Sequence, residues 1–561
     1  MTHNSINGKA KPVGEKWVWL TSMGLAVGIL MVVTLLGLII RNGLAVFWPK
    51  PVIRIELQED SRFAMRGTNV LGGMIAGTRD KIVQSVESQT GRQKQYEQEW
   101  HIMLGNKDVY GSSFRYIDLD AAVSVSRPPR AIMVERMEYG NAIGIPQSLE
   151  LADGTTINAN DPHFDIKLRS LVENVRKRRA KIREIERIQI GAINHELQQL
   201  RIKEQATRRQ ADASALSEII DGINAKRSEL TAQYEVLAGR AAELRKLQMA
   251  DRFHFQLFTG EFHSFPVGNM VHIHYPNAMS FGDKIRHFSH GLWAFVSQEP
   301  REANMEGGIF PAIFGTFVMT LLMSIAVTPF GVLAAIYLRE YAKQGFFVRM
   351  VRISVNNLAG VPSIVFGVFG LGFFVYFVGG SIDSLFFKDV LPTPTFGTGG
   401  ILWASLALAL MTVPVVIVAT EESLAAVPRG VREGSLALGA SKWQTIARCV
   451  LPASAPGILT GLVLAMARGA GEVAPLMLVG VVKLAPSLPI DHIYPYVHLD
   501  QKFMHLGFHI FDLGFQSPDS DAAQPMVFAT TLFLILLVVL LNLGAIIVRE
   551  RLRRRYATGA F

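Results

Sequence analysis

Two ionisable residues stand inside an apolar stretch in the C-terminal part of the sequence. In AMARGAGEVAPLM, Arg468 and Glu472 are four residues apart, which places both on one face of a helix. Charged side chains within a membrane span are costly and face the bundle interior, a partner or a water path. A guanidinium keeps its charge and donates paired hydrogen bonds to oxyanions such as phosphate. The pair therefore predicts an oxyanion path, with a buried ion pair that holds a bundle together as the alternative.

The composition of the chain is that of a membrane protein. Of its 561 residues, 49% are hydrophobic and 18% are charged, whereas about a quarter are charged in ordinary soluble domains. The first apolar run is longer than a signal peptide and has no evident cleavage site, so we expect it to be a retained anchor. Six runs are long enough to cross about 30 Å of hydrocarbon: Trp17–Ile40, Ile309–Leu338, Leu358–Val378, Ile401–Thr420, Ala453–Gly480 and Met526–Val548.

Lysine and arginine residues distinguish the two sides of the predicted membrane. The short loops on one side hold only Lys388, Lys483 and Lys502, whereas the loops and tails on the other side hold sixteen basic residues. By the positive-inside rule, both termini are cytoplasmic, and the net charge of +9 does not indicate nucleic-acid binding. The sixteen basic residues on the cytoplasmic side are Lys9, Lys11, Lys16, Arg339, Lys343, Arg349, Arg352, Arg429, Arg432, Lys442, Arg448, Arg549, Arg551, Arg553, Arg554 and Arg555.

A long segment, residues 41–306, separates the first two spans and is predicted to be periplasmic. Within it, PVIRIELQED and RAIMVERMEYG have the short strand-like runs of a small β or mixed domain. Residues from about 165 to 250 carry apolar side chains at spacings of three, four and seven, which predicts a helical hairpin or coiled coil. Both a structural stalk and a docking surface for a partner protein are consistent with this pattern.

The end of this segment contains histidines at alternate positions. His272 and His274 share one face of a predicted strand, which is compatible with metal binding. Because no cysteine or carboxylate cluster accompanies them, we expect exposed strand positions and no metal site. The following DKIRHFSHGLWAFVSQ predicts an amphipathic helix at the membrane surface. The single cysteine, Cys449, excludes an intrachain disulfide.

Several motifs of familiar enzymes are absent. The sequence contains no G-x-x-x-x-G-K-[ST] loop to hold the phosphates of ATP, and no G-x-S-x-G or H-E-x-x-H motif. We therefore expect a protein that is not an enzyme and needs no cofactor. Active transport by such a chain would take its energy from a partner protein or an ion gradient.

A polar segment, REGSLALGASKWQTIARCVLP, interrupts the apolar runs between the fourth and fifth spans. Gly439 is suited to end a short helix in a left-handed conformation. Ser441 and Gln444 have the spacing of a capping box, which predicts the start of a second helix. Leu436, Ala440 and Trp443 give this helix pair an apolar ridge. The segment is therefore predicted to be a bent helix pair that projects into the cytoplasm.

The polar segment resembles the EAA loop of ABC-importer permeases, whose pattern is E-A-A, three residues, G, nine residues, I, one residue and L-P. Glu433, Gly439, Leu451 and Pro452 stand at matching positions. GTFVMTLLMSIAVTPFGVLAAIYLREYA, NNLAGVPSIVFGVFGLG and ARGAGEVAPLM resemble the PstA-type permeases of phosphate-specific ABC importers. The resemblance runs from about Gly307 to Arg555. Three residues depart from the loop pattern: Gly434 and Ser435 replace the alanines, and Cys449 replaces the isoleucine.

The resemblance implies an all-α membrane bundle of six helices, of the type I ABC importer kind, that imports inorganic phosphate. It implies three partners: a cytoplasmic ATP-binding subunit dimer, a second permease of the PstC type and an extracytoplasmic phosphate-binding protein. A permease for sulfate or molybdate is one alternative. A membrane receptor with an extracytoplasmic coiled coil is another, although no cytoplasmic output domain is visible. The resemblance also implies that the loop docks on the ATPase through Glu433, Ala437, Gly439, Ala440 and Trp443.

The predicted organisation of the chain has five parts. They are a cytoplasmic tail (1–16), a first transmembrane helix (17–40), an extracytoplasmic insert (41–306) with a coiled coil at about 165–250, a permease core (307–548) with five transmembrane helices and a cytoplasmic coupling loop (421–452), and a basic cytoplasmic tail (549–561).

Overall fold

The computed structural model describes residues 15–557, apart from residues 60, 89–90, 211–212, 389, 486 and 492–495. Most of the predicted N-terminal tail (1–16) and the last four residues of the predicted C-terminal tail lie outside the described residues.

Helical runs suited to a membrane account for much of the chain. Six of them in the described residues are long and apolar enough to cross a bilayer, in agreement with the six predicted spans. The protein is therefore a multi-pass helical membrane protein. The runs are Val18–Ala45, Phe310–Tyr341, Ser363–Phe386, Ile401–Ala426, Lys442–Gly471 and Ser520–Arg551.

Two antiparallel sheets follow the first helix, α1 (Glu15–Ala45). The first has the order β4-β3-β2-β1-β5, and the second has the order β10-β9-β7-β6-β11 with β8 beside β7. The two sequence runs predicted as strands are β1 and β6. The strands are β1 (Ile53–Leu57), β2 (Val70–Ser88), β3 (Gly91–Met103), β4 (Phe114–Asp118), β5 (Ala122–Ser126), β6 (Ile132–Arg136), β7 (Ala142–Glu150), β8 (Thr156–Asn158), β9 (Arg252–Gln256), β10 (Phe262–Pro266) and β11 (Met270–His274).

Long helices extend between β8 and β9. Helix α3 (Phe164–Arg183) continues through a π-helical segment, Glu184–Gln189, into α4 (Ile190–Gln210). The one-turn helix α2 (Lys107–Tyr110) lies earlier in the chain, between β3 and β4. Helix α5 (Ala213–Gln248) runs back along α3 and α4.

The contacts between these helices show that they are antiparallel. Arg227 forms an ion pair with Glu204, and Arg245 Nη2 lies 2.6 Å from Glu186 Oε1. Ile193 and Leu230 are buried in the same pair of helices. The helices are thus where the sequence predicts them, and the coiled coil itself stays a prediction.

A buried ion pair joins the end of β6 to α2. Arg136, whose side chain is 3% exposed, donates two hydrogen bonds of 2.9 Å to the carboxylate of Asp108. His263 Nε2 lies 2.9 Å from the same carboxylate. Burial raises the pKa of Asp108, but the hydrogen bonds of His263 and Arg136 outweigh it and hold that pKa well below its usual range. This stabilisation is present above the unfolded pKa and is lost as the pH falls through the folded one.

We expect Asp108→Asn to lower the free energy of unfolding of the full chain by about 3–5 kcal/mol, because Arg136 would stay buried without its counter-charge. Denaturant unfolding of the purified chain in detergent, followed by circular dichroism, measures the change. Asp221→Asn, at an exposed position on α5, is the matched control. Identical transitions in Asp108→Asn and the wild type would contradict the assigned role of the pair.

The remaining elements comprise the other five long apolar helical runs and the segments that join them. Helix α6 corresponds to the predicted amphipathic helix and begins at the Ser280–Asp283 capping box. Two short paired strands connect it to α7. The elements are α6 (Phe281–Ser297), β12 (Pro300–Arg301), β13 (Glu306–Gly307), α7 (Phe310–Ile336), α8 (Phe346–Leu358), α9 (Ser363–Phe369), α10 (Gly380–Phe386), α11 (Ile401–Ala426), α12 (Arg429–Ala437), α13 (Lys442–Thr445), α14 (Leu451–Gly471), α15 (Ala474–Val479), α16 (Leu506–Phe511) and α17 (Ser520–Ala557). π-Helical segments extend α7 to Tyr341, join α9 to α10, join α13 to α14, and follow α16.

Helix α11 lies at the centre of these helical runs. It packs against α7 on one side and α14 on the other, and most of its apolar side chains are buried. Fully or almost fully buried residues of the three helices form one cluster: Met319, Met323, Val327, Ala404, Leu408, Met411, Val416 and Ala465. The three helices therefore form the scaffold that positions Arg468, Glu472 and the polar segment between the fourth and fifth spans.

The predicted limits of the third and fifth spans are wrong. The third helical run starts at Ser363 rather than Leu358, because Pro362 precedes it as the N-cap residue. The fifth run starts at Lys442 and ends at Gly471, whereas the prediction was Ala453–Gly480. A helix that continued through Pro475 would bring the proline ring against the carbonyl of Gly471. The chain breaks there and resumes as α15.

Candidate functional site

The polar segment between the fourth and fifth spans forms two short helices, as predicted. Helix α12 ends before Gly439, which has a left-handed φ of 85°. Helix α13 starts with both hydrogen bonds of the capping box: Ser441 N–H donates to Gln444 Oε1 at 2.8 Å, and Gln444 N–H donates to Ser441 Oγ at 3.3 Å. The two helices, residues 429–445, are called the coupling helices below.

The coupling helices expose an apolar surface. Leu436 and Trp443 of the predicted ridge are 48% and 55% exposed, while Ala440 is partly buried. Leu438, which the sequence reasoning missed, is 90% exposed. It is the C-cap residue of α12, directly before Gly439. The other predicted coupling residues, Glu433, Ala437 and Gly439, are also exposed.

Arg432 attaches the coupling helices to the second and fourth spans. Its guanidinium donates hydrogen bonds of 2.7 Å to the carbonyls of Leu424 and Val427 at the end of α11. It also lies 2.8 Å from Glu340 at the end of the second span. From its place in the sequence, Arg432 is expected only to be one of the basic residues that orient the chain in the membrane. Its role as a cap for α11 depends on contacts between distant segments, which a single sequence does not reveal.

The two coupling helices contact each other, and a small core follows where α13 continues into the fifth span. Ser435 Oγ of α12 and Thr445 Oγ1 of α13 lie 2.9 Å apart. The helical run that begins at α13 continues without a break to Gly471. Trp443 and Arg468 therefore lie near opposite ends of one continuous helical run, about 38 Å apart along its axis. The buried residues of that core are Ile336 of α7, Leu424 of α11, and Val427, Ile446 and Val450.

Arg468 and Glu472 meet at the end of α14. The distance from Arg468 Nε to Glu472 Oε1 is 3.9 Å, and the two side chains are 36% and 26% exposed. The prediction that both residues share a helix face is wrong, because Glu472 is the first residue after the helix and has an extended conformation, with ψ 134°. The separation exceeds that of a hydrogen bond, so the two side chains are in loose ionic contact.

Glycines of α14 bring the helix close to its neighbours. A Cβ added to Gly469 would lie 2.3 Å from Met323 Sδ of α7, and one added to Gly461 would lie 2.5 Å from Ala419 Cβ of α11. Helix α14 thus approaches α7 closely at Gly469. At Gly471, by contrast, an added Cβ would meet nothing within 4 Å. Close packing therefore holds Arg468 at a fixed place beside α7.

Comparisons with known proteins concern this part of the chain. Residues 327–558 match the family model described as "Binding-protein-dependent transport system inner membrane component". The chain is 41% identical over 194 residues to the phosphate transport system permease protein PstA of Mycobacterium leprae, covering 34% of this chain and 56% of that protein. It is 33% identical over 198 residues to the probable ABC transporter permease protein YqgH of Bacillus subtilis, covering 35% of this chain and 60% of that protein.

A third relative and one solved structure complete the comparison. The phosphate transport system permease protein PstA of Yersinia pestis is 38% identical over 187 residues, covering 33% of this chain and 57% of that protein. The chain thus spans less than two thirds of the length of these curated relatives. An inward-facing structure of the MetNI methionine ABC transporter is 19% identical, covers 46% of this chain and 97% of that chain, and has a TM-score of 0.32.

Proposed function

We propose that this chain, whose residues 327–558 match the inner membrane components of binding-protein-dependent transport systems, is a PstA-type membrane subunit of an ATP-driven importer of inorganic phosphate. It would form half of the translocation path, with a second, PstC-type permease forming the other half. The observation that carries the proposal is the continuity between the exposed coupling helices and the helix that ends beside Arg468. A movement imposed at Trp443 would reach Arg468 through one helical run.

The proposed arrangement in the membrane follows the basic residues. Both termini, the tails at 1–16 and 549–561, and the coupling loop at 421–452 would be cytoplasmic. The first span (17–40) would lead to the insert (41–306) in the periplasm, with its paired helices at about 165–250 as a coiled coil. The permease core (307–548) would hold the other five spans.

The coupling helices would bind the ATPase. Glu433, Ala437, Gly439, Ala440 and Trp443 would contact a groove on the ATP-binding subunit dimer. Leu438 joins this set because of its exposure. The contact would be mainly apolar, and closure of the ATPase would push the coupling helices against the spans that Arg432 ties together.

Arg468 and Glu472 would line the path. A phosphate that enters is expected to bind the Arg468 guanidinium with paired hydrogen bonds and to displace Glu472, since the two side chains are only in loose contact at 3.9 Å. Glu472 would hold the guanidinium in place while the path is empty. An extracytoplasmic phosphate-binding protein would deliver the anion.

Uptake by vesicles that contain the whole assembly tests the proposal. We expect labelled phosphate to accumulate only with ATP on the cytoplasmic side, and sulfate or molybdate to accumulate far more slowly. Equal uptake of sulfate would point to a broader oxyanion permease. Phosphate uptake that needs no ATP would overturn the proposal. The same measurement without residues 165–250 shows whether the paired helices contribute to transport.

A further inference from the structure

Four histidines gather where the second sheet meets α6. His272 and His274 lie on β11, and His287 and His290 lie one helical turn apart on α6. The alternating pattern predicts exposed strand positions for the first two, and this prediction is wrong. His274 is only 5% exposed and His272 is partly buried, because α6 lies over the strand. The contact joins residues of a sheet and a helix, so a pattern within one segment does not predict it.

The imidazole rings of this cluster lie close together. Ligand nitrogens of His272, His274 and His287 all fall within 4.8 Å of one another. The ring centroids of His274 and His287 are 4.4 Å apart, and those of His272 and His290 are 5.2 Å apart. Tetrahedral zinc with Zn–N bonds of about 2.0–2.1 Å needs nitrogens about 3.4 Å apart, so side-chain rotations would complete the geometry.

A carboxylate and an unpartnered nitrogen accompany the rings. Glu135 of β6 stands directly opposite His272 in the register, so both side chains project from one face of the sheet. His274 Nδ1 is buried and has no hydrogen-bond partner within the described residues. A buried polar atom without a partner is unfavourable, and a bound cation would accept its lone pair.

The imidazole rings of the cluster border open space in the structure. The cluster lines a cavity of about 1130 Å³, which gives an ion from the solvent room to enter.

We propose that His272, His274 and His287 bind one divalent transition-metal ion, with zinc as the best match and Glu135 or water as the fourth ligand. Three imidazoles with a carboxylate suit zinc, and the site would leave one open position if water is the fourth ligand. The bound ion would fasten β11 to α6, the helix that leads into the second span. The site would thus brace the insert against the permease core, a role beyond the proposed transport function.

Zinc titration of the full chain tests this site. The chain is purified in detergent with an affinity tag that contains no histidine, stripped with a chelator, and titrated with Zn²⁺ against a chromophoric competitor. We expect one equivalent of zinc per chain, and Co²⁺ in its place should give the visible absorption of a tetrahedral complex. His274→Ala and His287→Ala should each weaken zinc binding by at least about 10-fold.

The controls separate metal binding from folding. His163→Ala, at an exposed position outside the cluster, should bind zinc as the wild type does. Because His287 is only partly buried on α6, its replacement should leave the circular dichroism spectrum unchanged. The proposal is overturned if the wild type binds no zinc, or if His274→Ala and His287→Ala keep the wild-type affinity. Neither result depends on phosphate uptake.

Discussion

Leu438→Asp is expected to stop ATP-driven phosphate uptake while the chain stays folded and inserted in the membrane. Leu438 is 90% exposed, so its replacement removes no core contact. In the proposed assembly, however, the new carboxylate would have to enter the groove of the ATPase that we expect to be apolar. Burying an unpaired charge costs several kcal/mol, so we expect uptake to fall by at least about 10-fold. Initial rates of uptake, normalised to the amount of inserted chain, measure the effect.

Two further variants test the same surface in different ways. Gly439→Asp would force a residue with a side chain into the left-handed conformation at φ 85°, and Glu433→Lys would reverse an exposed charge. Both should also uncouple transport. Val236→Asp makes the same chemical change as Leu438→Asp at a 71% exposed position on α5, and should transport normally. Wild-type uptake in Leu438→Asp would refute the coupling role of this surface.

Arg468→Gln is expected to abolish phosphate uptake without loss of the folded chain. The glutamine side chain has neither the charge nor the forked donors of the guanidinium. Hydrogen bonds to charged groups contribute about 1.5–3 kcal/mol each, so a loss of about 10–100-fold per bond is expected. Arg468→Lys keeps the charge and should retain part of the activity. Initial rates over a range of phosphate concentrations separate weaker binding from slower transport.

The result for Arg468→Gln also decides whether Arg468 lines an oxyanion path or only stabilises the helix bundle. Arg553→Gln, which removes an exposed arginine that pairs with Glu550 in the C-terminal tail, should leave uptake unchanged. Glu472→Gln should still transport phosphate, because Glu472 would only hold the guanidinium in the empty path. If Arg468→Gln transports phosphate at the wild-type rate, the pair with Glu472 only stabilises the bundle.

Local features of the fold could be predicted from the sequence. The six spans are continuous apolar runs, and their number depends only on length and composition. The coupling helices follow from Gly439 and from the Ser441–Gln444 capping box, whose partners are three residues apart. Each of these features is determined within one stretch of chain.

Features that join distant segments could not be predicted in this way. Leu438 has an apolar side chain that sequence reasoning would bury, and only the path of the chain around Gly439 leaves it exposed. Arg432 caps α11 and pairs with Glu340, 92 residues earlier in the chain. The histidine cluster requires α6 to lie over β11. The break at Glu472 had a local signal, since Pro475 conflicts with the carbonyl of Gly471.

Cross-linking from position 438 tests most directly the central claim that the driving force enters through the coupling helices. Cys449 is the only cysteine, so Cys449→Ala provides a background without thiols, provided that it still transports phosphate. In that background, Leu438→Cys should cross-link to the ATP-binding subunit in the active assembly, and the yield should change when ATP is bound. Val236→Cys should give no such product. A fully active assembly in which Leu438→Cys forms no cross-link to the ATPase would contradict the claim.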